Sequence, residues 1–173
     1  YGLVGSEMCI RDRDSRFMDF YNGNADMYNA TTSAYKDLDM AMLVYTLERF
    51  WGEQRAGYRI IIAASMARPG GGYGATIQTG KGDICYEVYR ASSPLYSTAS
   101  LYHLGLHEFS HSFVNSMVAQ FRQEINRLTY LLDPVSRQMR DMAYGTFETM
   151  LDETIVRAFE SLQSTIEFGP SAG

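Results

Sequence analysis

The sequence predicts an α+β domain, and three observations predict it. Residues 97–121 and 145–166 place apolar side chains three and four apart, the period of a helix buried along one side. Between residues 58 and 89 the pattern changes to short runs rich in β-branched and aromatic residues, punctuated by glycine, which is how strands read. The motif His107-Glu108-Phe109-Ser110-His111 falls inside the first of those helices. A small mixed or antiparallel sheet packed on helices, one of them carrying this motif, is therefore expected.

The bounds are consistent with that architecture. The chain has 173 residues, enough for one domain with a real core; 46% are apolar and 13% aromatic, an ordered globule and not a disordered tract. The net charge is -5 and no block of basic residues occurs, so nothing marks a nucleic-acid surface. No apolar run is long enough for a membrane helix. Two cysteines, Cys9 and Cys85, without a Cys-x-x-Cys pair, suggest neither a disulfide framework nor a thiolate metal site. The first thirteen residues, YGLVGSEMCIRDR, have no helical or strand period and resemble a translated adaptor sequence. They are set outside fold reasoning, leaving residues 14–173 as one domain, a fragment of a longer protein.

Tyr21 to Asp26 reads as a turn between short elements. Thr32 or Ser33 is placed to cap a helix that runs to about Trp51, with Gly52 ending it. Tyr58 to Met66 is a buried strand, Pro69 to Gly74 a break, and Ala75 to Thr79 an edge strand. A turn at Gly80 to Gly82 leads to a third strand from Asp83 to Tyr89. The glycines at 70–74 fit neither a dinucleotide fingerprint, since Pro69 intervenes and no helix follows, nor a phosphate loop, since the spacing to Lys81 is one too long. A plain loop is expected there, with a loop over a cleft as the lesser option. Ser97 or Ser100 starts the motif helix, Asp133-Pro134 stops the helical region after it, and Ser136 to Ala143 is again helical. The last helix carries an apolar stripe of Phe147, Leu151, Ile155, Ala158 and Leu162.

His107 and His111 are four apart, so on a helix both imidazoles reach one ion, half of a tetrahedral zinc shell. Glu108 then lies where it can take a proton from water on that ion. Tyr102, Leu106, Phe109, Phe113 and Met117 form the back of this helix; Leu104, Val114 and Val118 flank the histidines, which marks a cleft and not a solvated face. The plain alternative is a buried helix with two satisfied histidines. A third protein ligand is needed. Val114 and Met117 stand where a metzincin would carry Gly and His. His103, two turns from His111, is about 12 Å away along the helix, too far to share the ion. A downstream carboxylate remains, with Glu153, Asp152 and Glu148 on the last helix as candidates; a solvated Glu153–Arg157 pair is the plain reading of that face.

Leu106-His-Glu-Phe-Ser-His-Ser-Phe-Val-Asn115, Tyr144-Gly145 and Glu153-x-x-x-Arg157-Ala158 together resemble an uncharacterised bacterial family of zincin-like proteins, known only as a domain of unknown function. Arg49-Phe-Trp-Gly52 and Gly71-Gly-Tyr-Gly74 extend the likeness, which spans about Phe20 to Leu162; Ser116 replaces a proline of the family pattern. That family is similar to the gluzincins, whose third ligand is a Glu on a later helix. The resemblance implies a zincin-like metallopeptidase fold, Zn2+ held by His107, His111 and Glu153, Glu108 as general base, and a peptide or protein substrate. A second likeness is to the aspzincins, through Asp141-Met-Ala-Tyr144-Gly145, which would make Asp141 the ligand and Tyr144 the transition-state donor. Tyr144, then Tyr130, is the expected oxyanion donor, and Asn115 and Arg157 are expected to orient the ligands from behind. A zinc-holding domain without turnover is the alternative function.

Overall fold

The computed structural model describes residues 16–33, 35–63, 72–90 and 97–168. The adaptor-like stretch 1–13, the end of the first predicted strand and the break at Pro69 lie outside the described residues.

Two short helices, α1 (Phe17–Gly23) and α2 (Ala25–Ser33), flank Asn24 within the predicted turn. The next helix does not begin at Thr32 or Ser33 but at Met40, as α3 (Met40–Trp51). Asp39 caps it, its side chain accepting from the Met42 backbone N at 2.9 Å. The Thr32 hydroxyl instead donates back to the Tyr28 and Asn29 carbonyls, closing α2. Gly52 ends α3 as expected, in the left-handed region at φ 70°.

The strands are β1 (Gly57–Ala63), β2 (Gly72–Thr79) and β3 (Gly82–Arg90), in the order β1-β3-β2. The sheet is mixed: β1 runs parallel to β3, and β2 pairs antiparallel with β3 through a hairpin at Gly80-Lys81. Gly72 to Gly74 is thus strand, not loop, because the ladder extends to Gly72 opposite Tyr89. Alternation on β3 buries Cys85, Glu87 and Tyr89 on one face.

Against that face lies α4 (Thr98–Gln120), capped by Ser97, whose hydroxyl accepts from the Ser100 backbone N at 3.1 Å. Leu106, Phe109 and Phe113 of α4 join Leu43, Leu47, Cys85 and Phe159 in one buried cluster. Each such side chain contributes about 1.5–3 kcal/mol by leaving water. Met117, expected on this back, is 38% exposed.

The chain continues as α5 (Arg122–Asn126), a 3-10 turn (Thr129–Val135), α6 (Ser136–Asp141) and α7 (Phe147–Phe168). Pro134 does not stop the helical region: it sits inside the 3-10 turn, and α6 starts two residues later. On α7 the buried residues are Phe147, Val156 and Phe159, whereas Ala158 is exposed and Leu162 is 46% exposed. The buried stripe is therefore rotated from the expected one, because α7 lies along α4 and turns its Glu153–Val156–Glu160 edge inward. No helix among the described residues is long and apolar enough to cross a membrane.

Candidate metal centre

The motif helix and α7 cross so that His107, His111 and Glu153 meet, their ligand atoms all within 4.8 Å of one another. Glu153 Oε2 is 3.5 Å from His107 Nε2, and Glu153 Oε1 is 3.4 Å from His111 Nε2. These separations are long for charge-assisted hydrogen bonds. They match the edge of a coordination tetrahedron: bonds of about 2.0–2.2 Å hold ligand atoms roughly 3.3–3.6 Å apart. Glu153 is only 15% exposed, and its buried Oε2 has no hydrogen-bond partner. A buried orphan oxygen facing two imidazoles is what a cation would satisfy.

The other ring nitrogens are occupied. His107 Nδ1 is 2.9 Å from Glu160 Oε2, and His111 Nδ1 is 3.1 Å from Asn115 Oδ1. Both partners are acceptors, so each Nδ1 carries the proton and each Nε2 presents its lone pair to the common centre. The residues present therefore fit a tetrahedral ion with one open position. Burial alone lowers the His111 pKa, but its contacts with Glu153 and Asn115 and the Glu108 charge outweigh this and raise it above 6.5. Burial likewise pushes Glu153 up, yet the His111 hydrogen bond, the charges of both histidines and the Tyr144 hydroxyl hold it below the ordinary carboxylate value.

Glu108 is buried beneath β2. A Cβ on Gly72 would come within 2.9 Å of Glu108 Cγ, and one on Gly74 within 2.9 Å of the Glu108 carbonyl oxygen. Those two glycines let the strand lie directly on the helix. Burial is the main cause of a raised Glu108 pKa, opposed by the charges of His107 and His111 and by the Gly74 backbone N–H. A raised pKa makes this carboxylate a stronger proton acceptor than a free one.

The remaining predicted residues divide. Tyr144 lines the cleft; its hydroxyl accepts from Arg157 Nη2 at 3.0 Å, leaving its own O–H to donate. Ala143 holds a left-handed conformation, φ 68°, at the turn that swings Tyr144 inward. Arg157 also lies 3.8 Å from Glu153, the expected i, i+4 pair, but on the cleft wall. His103 lines the same cleft outside the three-residue cluster. Asp141 is exposed and apart from it, Tyr130 is 61% exposed, and Glu148 is tied to Arg122 at 2.8 Å. Asp152 is next to the cluster without belonging to it; burial first, then the charge of Glu148, raises its pKa to about 6.

One role and one residue escaped the sequence reading. The spacing places Glu160 beside Glu153 and Arg157 on one helix face, but not its contact with His107. Glu87 is fully buried on β3 with neither carboxyl oxygen partnered. Its register partner is Gly74, so it points to the same face, toward Glu108. Burial raises its pKa well above the ordinary value, Tyr89 opposes this and the Glu108 charge adds to it.

Among known proteins the chain matches a family model described as "Domain of unknown function (DUF4932)" over residues 8–170. No curated protein and no solved structure matches the chain.

Proposed function

For a chain that belongs to the DUF4932 family, we propose a zinc-dependent metallopeptidase of the gluzincin-like kind, hydrolysing peptide bonds with Glu108 as general base. The observation that carries this reading is the spacing of the three ligand atoms, 3.4 and 3.5 Å from Glu153 to the two Nε2 atoms, with Glu108 buried beside them. A bound zinc ion supplies a Lewis acid that brings water ionisation toward neutral pH and polarises a carbonyl. His107, His111 and Glu153 would hold it, with Glu160 and Asn115 fixing the imidazoles.

Glu108 takes the proton from the attacking water on a carboxylate oxygen and hands it to the departing amine nitrogen. Tyr144, its hydroxyl lone pair engaged by Arg157, turns its O–H to the oxyanion as the carbonyl becomes tetrahedral. An extended peptide is the substrate that suits the walls. β2 is an outer strand of the sheet, and Gly72, Tyr73 and Gly74 line the cleft, so a second strand can pair along it.

The test is Glu108→Gln in zinc-loaded protein against a peptide library. Cleavage should fall about 10²–10⁴-fold while bound zinc, read by elemental analysis, stays at one per chain. Wild-type protein that holds zinc and cleaves nothing would favour the zinc-holding domain without turnover. Protein that binds no zinc would remove both readings.

A further inference from the structure

The cleft has two arms that meet at Gly74, Glu108, His111 and Asn115. The larger contains Tyr144, Arg157 and Glu160. The smaller, of about 370 Å³, runs the other way between β2, β3 and the second half of α4. Its far end is built by Asp83 and Gln78, a register pair whose side chains share the sheet face of Gly74 and Glu87.

We propose that this smaller arm is a subsite for a basic side chain, lysine or arginine, next to the scissile bond. The inference rests on the peptidase reading above and adds the substrate class. Three observations carry it. No lysine or arginine lines the arm, and its end is an acid. Among the described residues nothing hydrogen-bonds to or pairs with the Asp83 side chain. Arg55, whose Nη2 donates to the Ser112 carbonyl behind this wall, is already matched by Glu53 at 3.0 Å.

The remaining wall sets the shape of the occupant. Ser112 and Ser116 turn their hydroxyls back to the Phe109 and Phe113 carbonyls, so they do not compete for a ligand head group. Phe109 and Cys85 offer an apolar base for a methylene stem. Asp83 lies at the end of the arm away from Glu108 and His111, so a long stem with a cationic head suits it and a short side chain falls short.

Two measurements test it, and only one needs turnover. n-Butylguanidinium and pentanoate are titrated into metal-free protein and followed by backbone amide shifts. Saturable shifts along β2 and β3 with the guanidinium alone, lost in Asp83→Asn and transferred to pentanoate in Asp83→Lys, are expected. Absence of a saturable wild-type shift overturns the subsite, whatever the variants do. In the second, zinc-loaded protein is given peptides that differ only at the residues flanking the cleaved bond. The kcat/KM preference for lysine over glutamate should drop at least about tenfold in Asp83→Asn. Guanidinium binding without cleavage leaves the subsite standing and removes the peptidase; cleavage without basic preference does the reverse.

Discussion

Glu87 sits in the middle strand, fully buried, with a second carboxyl group of the site at Glu108 beyond it. Its folded pKa is raised by burial from 4.5, so the folded chain binds this proton more tightly than the unfolded one. Stability from the proton is complete below the unfolded value and is lost as pH climbs toward the folded one, by at most about 1.4 kcal/mol per unit. Glu87→Gln keeps the shape and removes the titration. Its urea midpoint should gain on wild type as pH rises above 5 in chelator, and parallel curves would refute the assignment. Glu160 acts on the centre differently, through His107 Nδ1 at 2.9 Å. Glu160→Gln should weaken zinc about 10–100-fold in chelator competition with the fold unchanged. Of these groups only the histidines and Glu108 were legible from spacing alone, because four residues is one turn and the contact is internal to one helix. Glu153 needed the family likeness. Glu87 lies in Asp-Ile-Cys-Tyr-Glu-Val-Tyr, where alternation is equally clear for either face. Only the register with Gly74 decides which one is inward.

At the scale of elements, the close approach of α4 to α3 and β3 depends on a missing side chain. An alanine at Gly105 would put its Cβ 2.7 Å from Leu43 Cδ2 and 3.2 Å from the Tyr89 hydroxyl. Both neighbours are fully buried, so α3 or β3 must give way. Gly105→Ala should therefore cost about 1–3 kcal/mol in chemical denaturation, despite alanine's better helix propensity; a gain would mean the three layers pack more loosely than the contacts indicate. Ala143 offers the opposite case. Its φ of 68° is a conformation that costs an L-residue roughly 1–2 kcal/mol and glycine little. Ala143→Gly should be neutral or stabilising by up to about 1 kcal/mol, read as the thermal midpoint. β3, the second part of β2, the motif helix and the end of α3 at Gly52 were legible, since each is written in local periodicity or a local cap, whereas Gly72 to Gly74 read as loop because glycines carry no alternation. The start of α3 was not: Thr32, Ser33 and Asp39 are all good caps, and the choice fell to Asp39 with Leu38 buried just before it. The stripe on α7 was misassigned because amphipathic periodicity fixes a period, not which edge a neighbouring helix will cover.

For the whole molecule, the candidate centre is a cross-link. His107 and His111 come from α4, which rests on the sheet; Glu153 comes from α7, which reaches that layer mainly through α4. An ion held by all three ties the C-terminal helix to the sheet-bearing half, and only in the folded state are the ligand atoms within 4.8 Å of one another. Mass action then requires the fold to gain stability with free zinc, about 4 kcal/mol at a thousandfold excess over the dissociation constant. For a domain of this size that is roughly 8–16 °C in the thermal midpoint. Calorimetry with zinc and with chelator should give this difference for wild type and for Glu108→Gln, since Glu108 is outside the ligand set. Glu153→Ala should bring the two midpoints nearly together, because α7 no longer contributes a ligand and the helices are uncoupled. A zinc shift that survives Glu153→Ala would place the ion on α4 alone, and with it would go the two-helix site on which the proposed hydrolysis depends.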